Sequence, residues 1–231
     1  LTIGEGESRI ARRVADFEDS LPANIKLAFL PNLGRVRLRL SGVGNDKDQL
    51  NQQLDNLKEE VVRLIPELVY GSDEEQLEEV IGQMLKDRDL TLATAESCTG
   101  GKIAQRITTI PGSSAYFTGS VVAYSNAVKE NVLGVSSDTL KNHGAVSEST
   151  VKEMVQGAIK LLNTDLAVSI SGIAGPGGGT PEKPVGTVWM AVGNKDRIVT
   201  QKLQIGKDRL RNIEYSSVQA LNMIRKFLLS D

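Results

Sequence analysis

The sequence predicts two α/β units in series: a small α+β domain over residues 1–71 and a three-layer α/β/α domain over residues 72–231. Three observations lead there. Apolar residues recur at helical and at strand spacing in turn along the chain. From residue 73 onward helical and extended segments alternate, which places helices on both faces of a sheet. Between the two regions the polar stretch "YGSDEEQ" interrupts the pattern.

In the first region "ESRIARRVADFEDSL" carries Ile10, Val14, Phe17 and Leu21 at helical spacing. "IKLAFLPN" and "RVRLRLSG" read as strands, the second alternating basic and apolar residues from Arg35 to Leu40. "KDQLNQQLDNLKEEVVRLIPEL" sets Leu50, Leu54, Leu57, Val61 and Leu64 on one helical face, and Pro66 closes it. A new helix is expected from a cap at Ser72 or Asp73, through "DEEQLEEVIGQMLKDR".

In the second region "LTLATAES" reads as a strand and "GGKIAQRITTI" as a helix. "YFTGSVVAYS" is a strand, followed by helical "NAVKENVLG" and "SESTVKEMVQGAIKLLN". "TDLAVSISG", "VGTVWMAVGN" and "DRIVTQKLQI" are strands, the last two joined as an antiparallel hairpin. "DRLRNIEYSSVQALNMIRKFLL" is a long closing helix.

Composition removes several classes of function. A net charge of −2 over 231 residues gives no global basic field for nucleic acid. One cysteine, Cys98, excludes an intrachain disulfide and a cysteine zinc site, and one histidine, His143, excludes a histidine cluster. No metal and no cofactor is expected. No apolar run approaches the roughly 20 residues that span a bilayer, and "LTIGEGESRIARR" has no signal-peptide pattern. A cytoplasmic protein is expected, as a piece of a longer chain.

Ligands of open α/β sheets sit beyond the carboxyl ends of the strands, and three loops there are rich in small polar residues. In Glu96-Ser97-Cys98-Thr99-Gly100-Gly101 the glycines let backbone N–H groups approach an anion at the start of the next helix. The same spacing fits a tight capped turn. "SISGIAGPGGGTPEKPVGTVW" packs six glycines and three prolines between two strands. Ser171, Gly172 and Gly175 can wrap a ligand there, or the loop can be mobile and empty.

In "IPGSSAYFTGSVVAYSNAVKENVLG" a chain that leaves and re-enters the strand end can join Ser114, Tyr124 and Lys129. A serine hydrolase without histidine can use lysine as base. The lysine must then be neutral, its pKa brought from about 10.4 toward 7–8. A solvated surface lysine is the commoner case. Finally, Arg209 and Arg211 open the last helix against its dipole, which suits a grip on phosphate or carboxylate, or a free surface arginine.

"TAESCTGG", "GSSAYF…VVAYSNAVKENVLGV", "HGAVSE", "SISGIAGPGGGTPEKPVGTVW" and "GKDRLRN" occur in this order and together resemble the C-terminal domain of the CinA family, over about Asp73 to Asp231. The first region resembles that family's small KH-type connecting domain. The resemblance implies a nicotinamide-nucleotide amidase that hydrolyses nicotinamide mononucleotide to nicotinate mononucleotide and ammonia by a Ser-Lys mechanism. It implies Ser114 as nucleophile, Lys129 as base and Tyr124 as its assistant. It also implies a substrate site drawn from Glu96, Ser97, Thr99, Gly100, Ser171, Gly172, Gly175, Arg211 and Arg209. "ESCTGG" is then the wall and anion cradle rather than the home of the attacking oxygen. A homodimer is implied, and a further N-terminal domain in cis. The rival reading is a catalytically inactive nucleotide-binding regulatory module. Nucleic-acid binding by the first region is not expected: its "LSGVGNDKD" sets acidic residues beside glycines two apart.

Overall fold

The computed structural model describes residues 1–230. Its contacts divide the chain after Gln76 into two compact units. Among the described residues no helix is long and apolar enough to cross a membrane.

The first unit is a three-stranded antiparallel sheet with helices on one face. Its strands are β1 (Thr2–Ile3), β2 (Ile25–Asn32) and β3 (Arg35–Gly42), in the order β1-β3-β2. Helices α1 (Glu7–Arg13), α2 (Ala15–Asp19) and α3 (Lys47–Leu64) supply Ile10, Phe17 and Val61 to a core shared with Val14, Val36, Ile65 and Leu68. The single helix expected over residues 7–21 breaks at Val14, which leaves the helical region at φ −111° and ψ 14°. β1 has only two residues, too few for a period-2 signal, and its place is fixed by bonds such as Ile3 N–H to Leu68 O. The turn after β3 ends in Asp46, whose carboxylate caps α3 through the N–H groups of Asp48 and Gln49. A groove of about 600 Å³ opens beside α3, lined by Leu38, Leu40, Leu54 and Val61; the residues expected to carry chemistry all lie in the second unit.

The second unit is built on five strands: β4 (Leu92–Glu96), β5 (Phe117–Val122), β6 (Leu166–Gly172), β7 (Thr187–Gly193) and β8 (Ile198–Gln204). Their order is β5-β4-β6-β7-β8. β4 is parallel to both neighbours; β6–β7 and β7–β8 are antiparallel. Helix α8 (Glu148–Leu162) covers one face, burying Val151, Met154, Val155 and Ala158 against Ala93, Ala95, Ala167 and Ala191. Helices α4 (Leu77–Lys86), α5 (Lys102–Thr108) and α9 (Arg209–Leu229) pack together on the other. The chain thus carries a small KH-type α+β unit followed by a three-layer α/β/α sandwich.

Two boundaries differ from expectation. α4 starts at Leu77 and not at Asp73, because Asp73 takes a left-handed φ of 51° and Glu75 turns back to accept the Ser72 N–H. A seven-residue helix α7 (Ser137–His143) comes after α6 (Asn126–Asn131); it buries no residue, so it leaves no apolar period to read.

α8 reaches the sheet by passing close to the end of α6. A β-carbon on Gly157 would lie 1.8 Å from the Leu133 carbonyl oxygen, so only glycine fits. Gly157→Ala is expected to destabilise the protein by about 1–3 kcal/mol or more through overpacking. A urea unfolding midpoint equal to that of the wild type would contradict the close approach.

Candidate functional site

The chain leaves β4 toward α5 on one face of the sheet and leaves β5 toward α8 on the other. Between two such neighbouring strand ends a crevice is left open. Ser97 stands at the end of β4. Its N–H still bonds Ile170 O at 2.9 Å, continuing the β4–β6 ladder, so the serine is held as firmly as a strand residue. Ala123 stands at the end of β5, its N–H on Glu96 O at 2.7 Å.

From the β5 end the chain turns into α6, capped by Ser125, whose hydroxyl accepts the Val128 N–H. Lys129 lies one turn in. Helical side chains point back toward the N-terminus of their helix, and here that direction leads to the strand ends. The Lys129 amine lies 2.9 Å from Ser97 Oγ and donates to Ala123 O at 2.6 Å. It is 1 % exposed, and Ser97 is 8 % exposed. Burial without a carboxylate partner lowers the Lys129 pKa from the ordinary lysine value. With one N–H committed to the Ala123 carbonyl, a neutral amine offers its lone pair to the serine hydroxyl.

Ser114 does not share this site. It is exposed, on a 3-10 turn (Ser113–Ala115) that precedes β5, whereas Lys129 comes after β5. The Tyr116 carbonyl accepts the Leu92 N–H at the start of β4. Six strand residues at roughly 3.3 Å each therefore place Ser114 at the opposite end of the sheet, about 20 Å away. An extended strand between two residues holds them apart, and the expected Ser114–Lys129 pair is corrected to Ser97–Lys129.

The N–H groups that open α5 do not form the expected anion cradle. Glu96 is fully buried, and its carboxylate accepts hydrogen bonds from the backbone N–H groups of Gly101 (3.1 Å), Ile103 (3.0 Å) and Ala104 (2.8 Å) and from Thr99 Oγ1 (2.7 Å). The start of α5 is thus filled by the protein's own anion, and Glu96 and Thr99 point inward, away from a ligand. Gly100 and Gly101 take φ 63° and 97°, the left-handed geometry that lets the chain reverse into α5. Cys98 is buried, and burial pushes its thiol up to about 12, so it is no rival nucleophile. The N–H groups of Cys98 and Thr99 make no hydrogen bond to another of the described residues.

The other strand ends complete the surroundings. Ser171 is buried and donates to Ala145 O at 2.7 Å, tying β6 to the segment before α8. A β-carbon on Gly172 would come 3.1 Å from Cys98 Sγ and 2.7 Å from Val188, so glycine lets β6 lie against the serine turn. Arg209 donates to Gly175 O at 2.9 Å and to Tyr124 Oη at 3.1 Å, joining the glycine-rich loop to the β5–α6 turn. Of the two arginines it is Arg209 that faces these elements. Arg211 lies two residues on, roughly 200° round the helix, exposed, with its N–H capped by Asp208. The glycine-rich loop is held a second time by Lys183, which donates to His143 O at 2.6 Å.

A charged network behind the site has no counterpart among the expected residues. Arg106 of α5 bonds Glu78 of α4 and Glu214 of α9, with Lys102 3.5 Å from Glu214. This network fastens the helix that continues from the serine turn. Its members are far apart in sequence, and no local pattern marks them.

The two units match two family models. Residues 74–228 match the CinA C-terminal domain, and residues 1–71 match the damage-inducible protein CinA KH domain. A CinA-like protein of Cytophaga hutchinsonii is 45 % identical over 227 residues, 98 % of this chain and 54 % of that protein. A putative competence-damage inducible protein of Halothermothrix orenii is 43 % identical over 227 residues, again 98 % and 54 %. The chain thus spans about half the length of the curated relatives it matches. Among solved structures, the competence/damage inducible protein CihA from Agrobacterium tumefaciens has a TM-score of 0.64 at 38 % identity, over 68 % of this chain and 97 % of that one. A CinA superfamily protein from Klebsiella pneumoniae has a TM-score of 0.65 at 35 % identity, over 68 % and 100 %. The chain belongs to the CinA family and comprises its KH-type and C-terminal domains.

Proposed function

We propose that this chain is a Ser-Lys amidohydrolase acting on nicotinamide mononucleotide, with Ser97 as nucleophile and Lys129 as general base. The observation that carries this reading is the buried amine of Lys129 at 2.9 Å from Ser97 Oγ. Such a pair has the proximity general-base catalysis requires, and the strand–turn–helix setting of Ser97, at the carboxyl end of a central strand, suits a nucleophile.

Lys129 takes the Ser97 proton as the serine oxygen attacks the carboxamide carbon. The N–H groups of Cys98 and Thr99, which bond no other of the described residues, receive the oxyanion, each worth roughly 3 kcal/mol. The lysine then protonates the departing nitrogen, and ammonia leaves. Water, deprotonated by Lys129, hydrolyses the acyl-serine to the acid. Arg209 supplies the cation for the substrate's phosphate, with Tyr124 beside it and the loop at Gly175 closing round the ligand. α5, α6 and α9 are each capped by a side chain of the protein, Glu96, Ser125 and Asp208. A guanidinium rather than a helix end therefore carries anion recognition.

Ser97→Ala is expected to lower ammonia release from nicotinamide mononucleotide by about 10³-fold or more, and Lys129→Met likewise. Ser114→Ala is expected to stay within roughly twofold of wild type, as an exposed residue outside the site. The reverse pattern in a coupled ammonia assay would overturn the assignment. Nucleotide binding without any ammonia release by the wild type would favour the regulatory module.

The pH dependence stems from burial of Lys129. The amine must lose its proton to act, so kcat/KM rises with pH through the lysine's depressed pKa and levels off before the ordinary value of about 10.4. A rate that keeps climbing beyond that value would contradict a desolvated base. Arg209→Lys is expected to cut kcat/KM by about tenfold, because a lysine cannot hold Gly175 O and Tyr124 Oη with one planar fork; unchanged kcat/KM would remove Arg209 from the site.

A further inference from the structure

Glu96 is fully buried and takes part in none of the ion pairs among the described residues. Its carboxylate is instead ringed by donors. Oε2 accepts from Thr99 Oγ1, Gly101 N–H and Ile103 N–H; Oε1 accepts from Ala104 N–H and, at 3.3 Å, from Thr94 Oγ1. The same residue's carbonyl accepts the Ala123 N–H at 2.7 Å, and the Ala123 carbonyl in turn receives the Lys129 amine.

One residue therefore grips both sides of the reacting pair. Its side chain fixes the turn that carries Ser97 into α5. Its main chain fixes the strand end that holds Lys129. A helix of seven residues needs no anion this deeply buried merely to begin, and a buried carboxylate is costly unless every lone pair is used. We propose that Glu96 is a positioning residue: its carboxylate locks the turn 97–104 so that Ser97 Oγ stays in line with the Lys129 amine. It touches neither substrate nor the transferred proton. The proposal rests on the Ser97–Lys129 reading given above.

The test is Glu96→Gln, which keeps size and shape but turns one acceptor oxygen into an NH₂ facing backbone donors. Two readouts are taken: ammonia release, and the rate at which a fluorophosphonate probe labels Ser97, located by mass spectrometry of the peptide. For the folded variant, kcat is expected to fall about tenfold or more, since small misplacement of a nucleophile is costly. KM should stay within roughly twofold, the pH midpoint should not move, and labelling should slow together with kcat. A kcat within roughly twofold of wild type overturns the proposal. A displaced pH midpoint also overturns it, because Glu96 would then act on the proton.

Should Glu96→Gln fail to fold, Thr99→Val removes a single donor. It is expected to lower kcat and labelling in the same direction, and Thr99→Ser, which restores the hydroxyl, to recover much of the loss. Wild-type rates in Thr99→Val would overturn the proposal. The probe separates this claim from the substrate assignment: a wild-type chain that labels at Ser97 but releases no ammonia sinks the amidase reading, while slowed labelling in the variants still supports Glu96.

Discussion

The structure turns on an amine buried beside a hydroxyl. Lysine is among the residues least often enclosed, and Lys129 is 1 % exposed with no carboxylate to balance it. Such a group is tolerable if it gives up its proton and keeps its hydrogen bonds. Both bonds are supplied just past strand ends, by Ala123 O after β5 and Ser97 Oγ after β4. Much of the second unit can be traced to that requirement. The parallel pairing of β4 and β5 brings the two ends level, and the core under α8, including Ala123, Leu133 and Val135, keeps water from the lysine stem.

The polar groups around the pair divide into those the protein uses for itself and those it leaves open. The helix starts nearby are closed by the chain's own oxygens: Glu96 at α5, Ser125 at α6, Ser147 at α8 and Asp208 at α9. Ser171 is spent on Ala145. Among the described residues, the N–H groups of Cys98 and Thr99 bond no other residue, and the guanidinium of Arg209 bonds neutral oxygens and has no carboxylate partner. A site so arranged sets a hydroxyl beside a buried amine, with two N–H groups and one cation near it.

Much of the architecture was legible in the sequence because strong periods carry it. β2 and β3 coincide with the quoted segments "IKLAFLPN" and "RVRLRLSG", and the serine cap of α8 and the β7–β8 hairpin arise from local chemistry. The two-residue β1 and the unburied α7 have too little pattern to read. The site was half legible. Lys129, Tyr124, Ser97, Gly175 and Arg209 all meet near the strand ends, but Ser114 does not. Pairing residues across an intervening strand ignores the length that strand must span. Neighbouring parallel strands bring together the residues just past their carboxyl ends, Ser97 after β4 and Lys129 after β5. The inward turn of Glu96 was hidden for another reason. A carboxylate beside glycines at a helix start reads equally as wall or as plug, and only the bonds to Gly101, Ile103 and Ala104 decide.

The protonation state of Lys129 is the most direct test. With lysines labelled at Cε, carbon NMR of the folded chain should show one resonance, removed by Lys129→Met, that titrates well below the ordinary lysine value of about 10.4 and shifts on Ser97→Ala. A Lys129 resonance that titrates at about 10.4 and ignores the serine substitution would show a charged, solvated lysine and contradict the account.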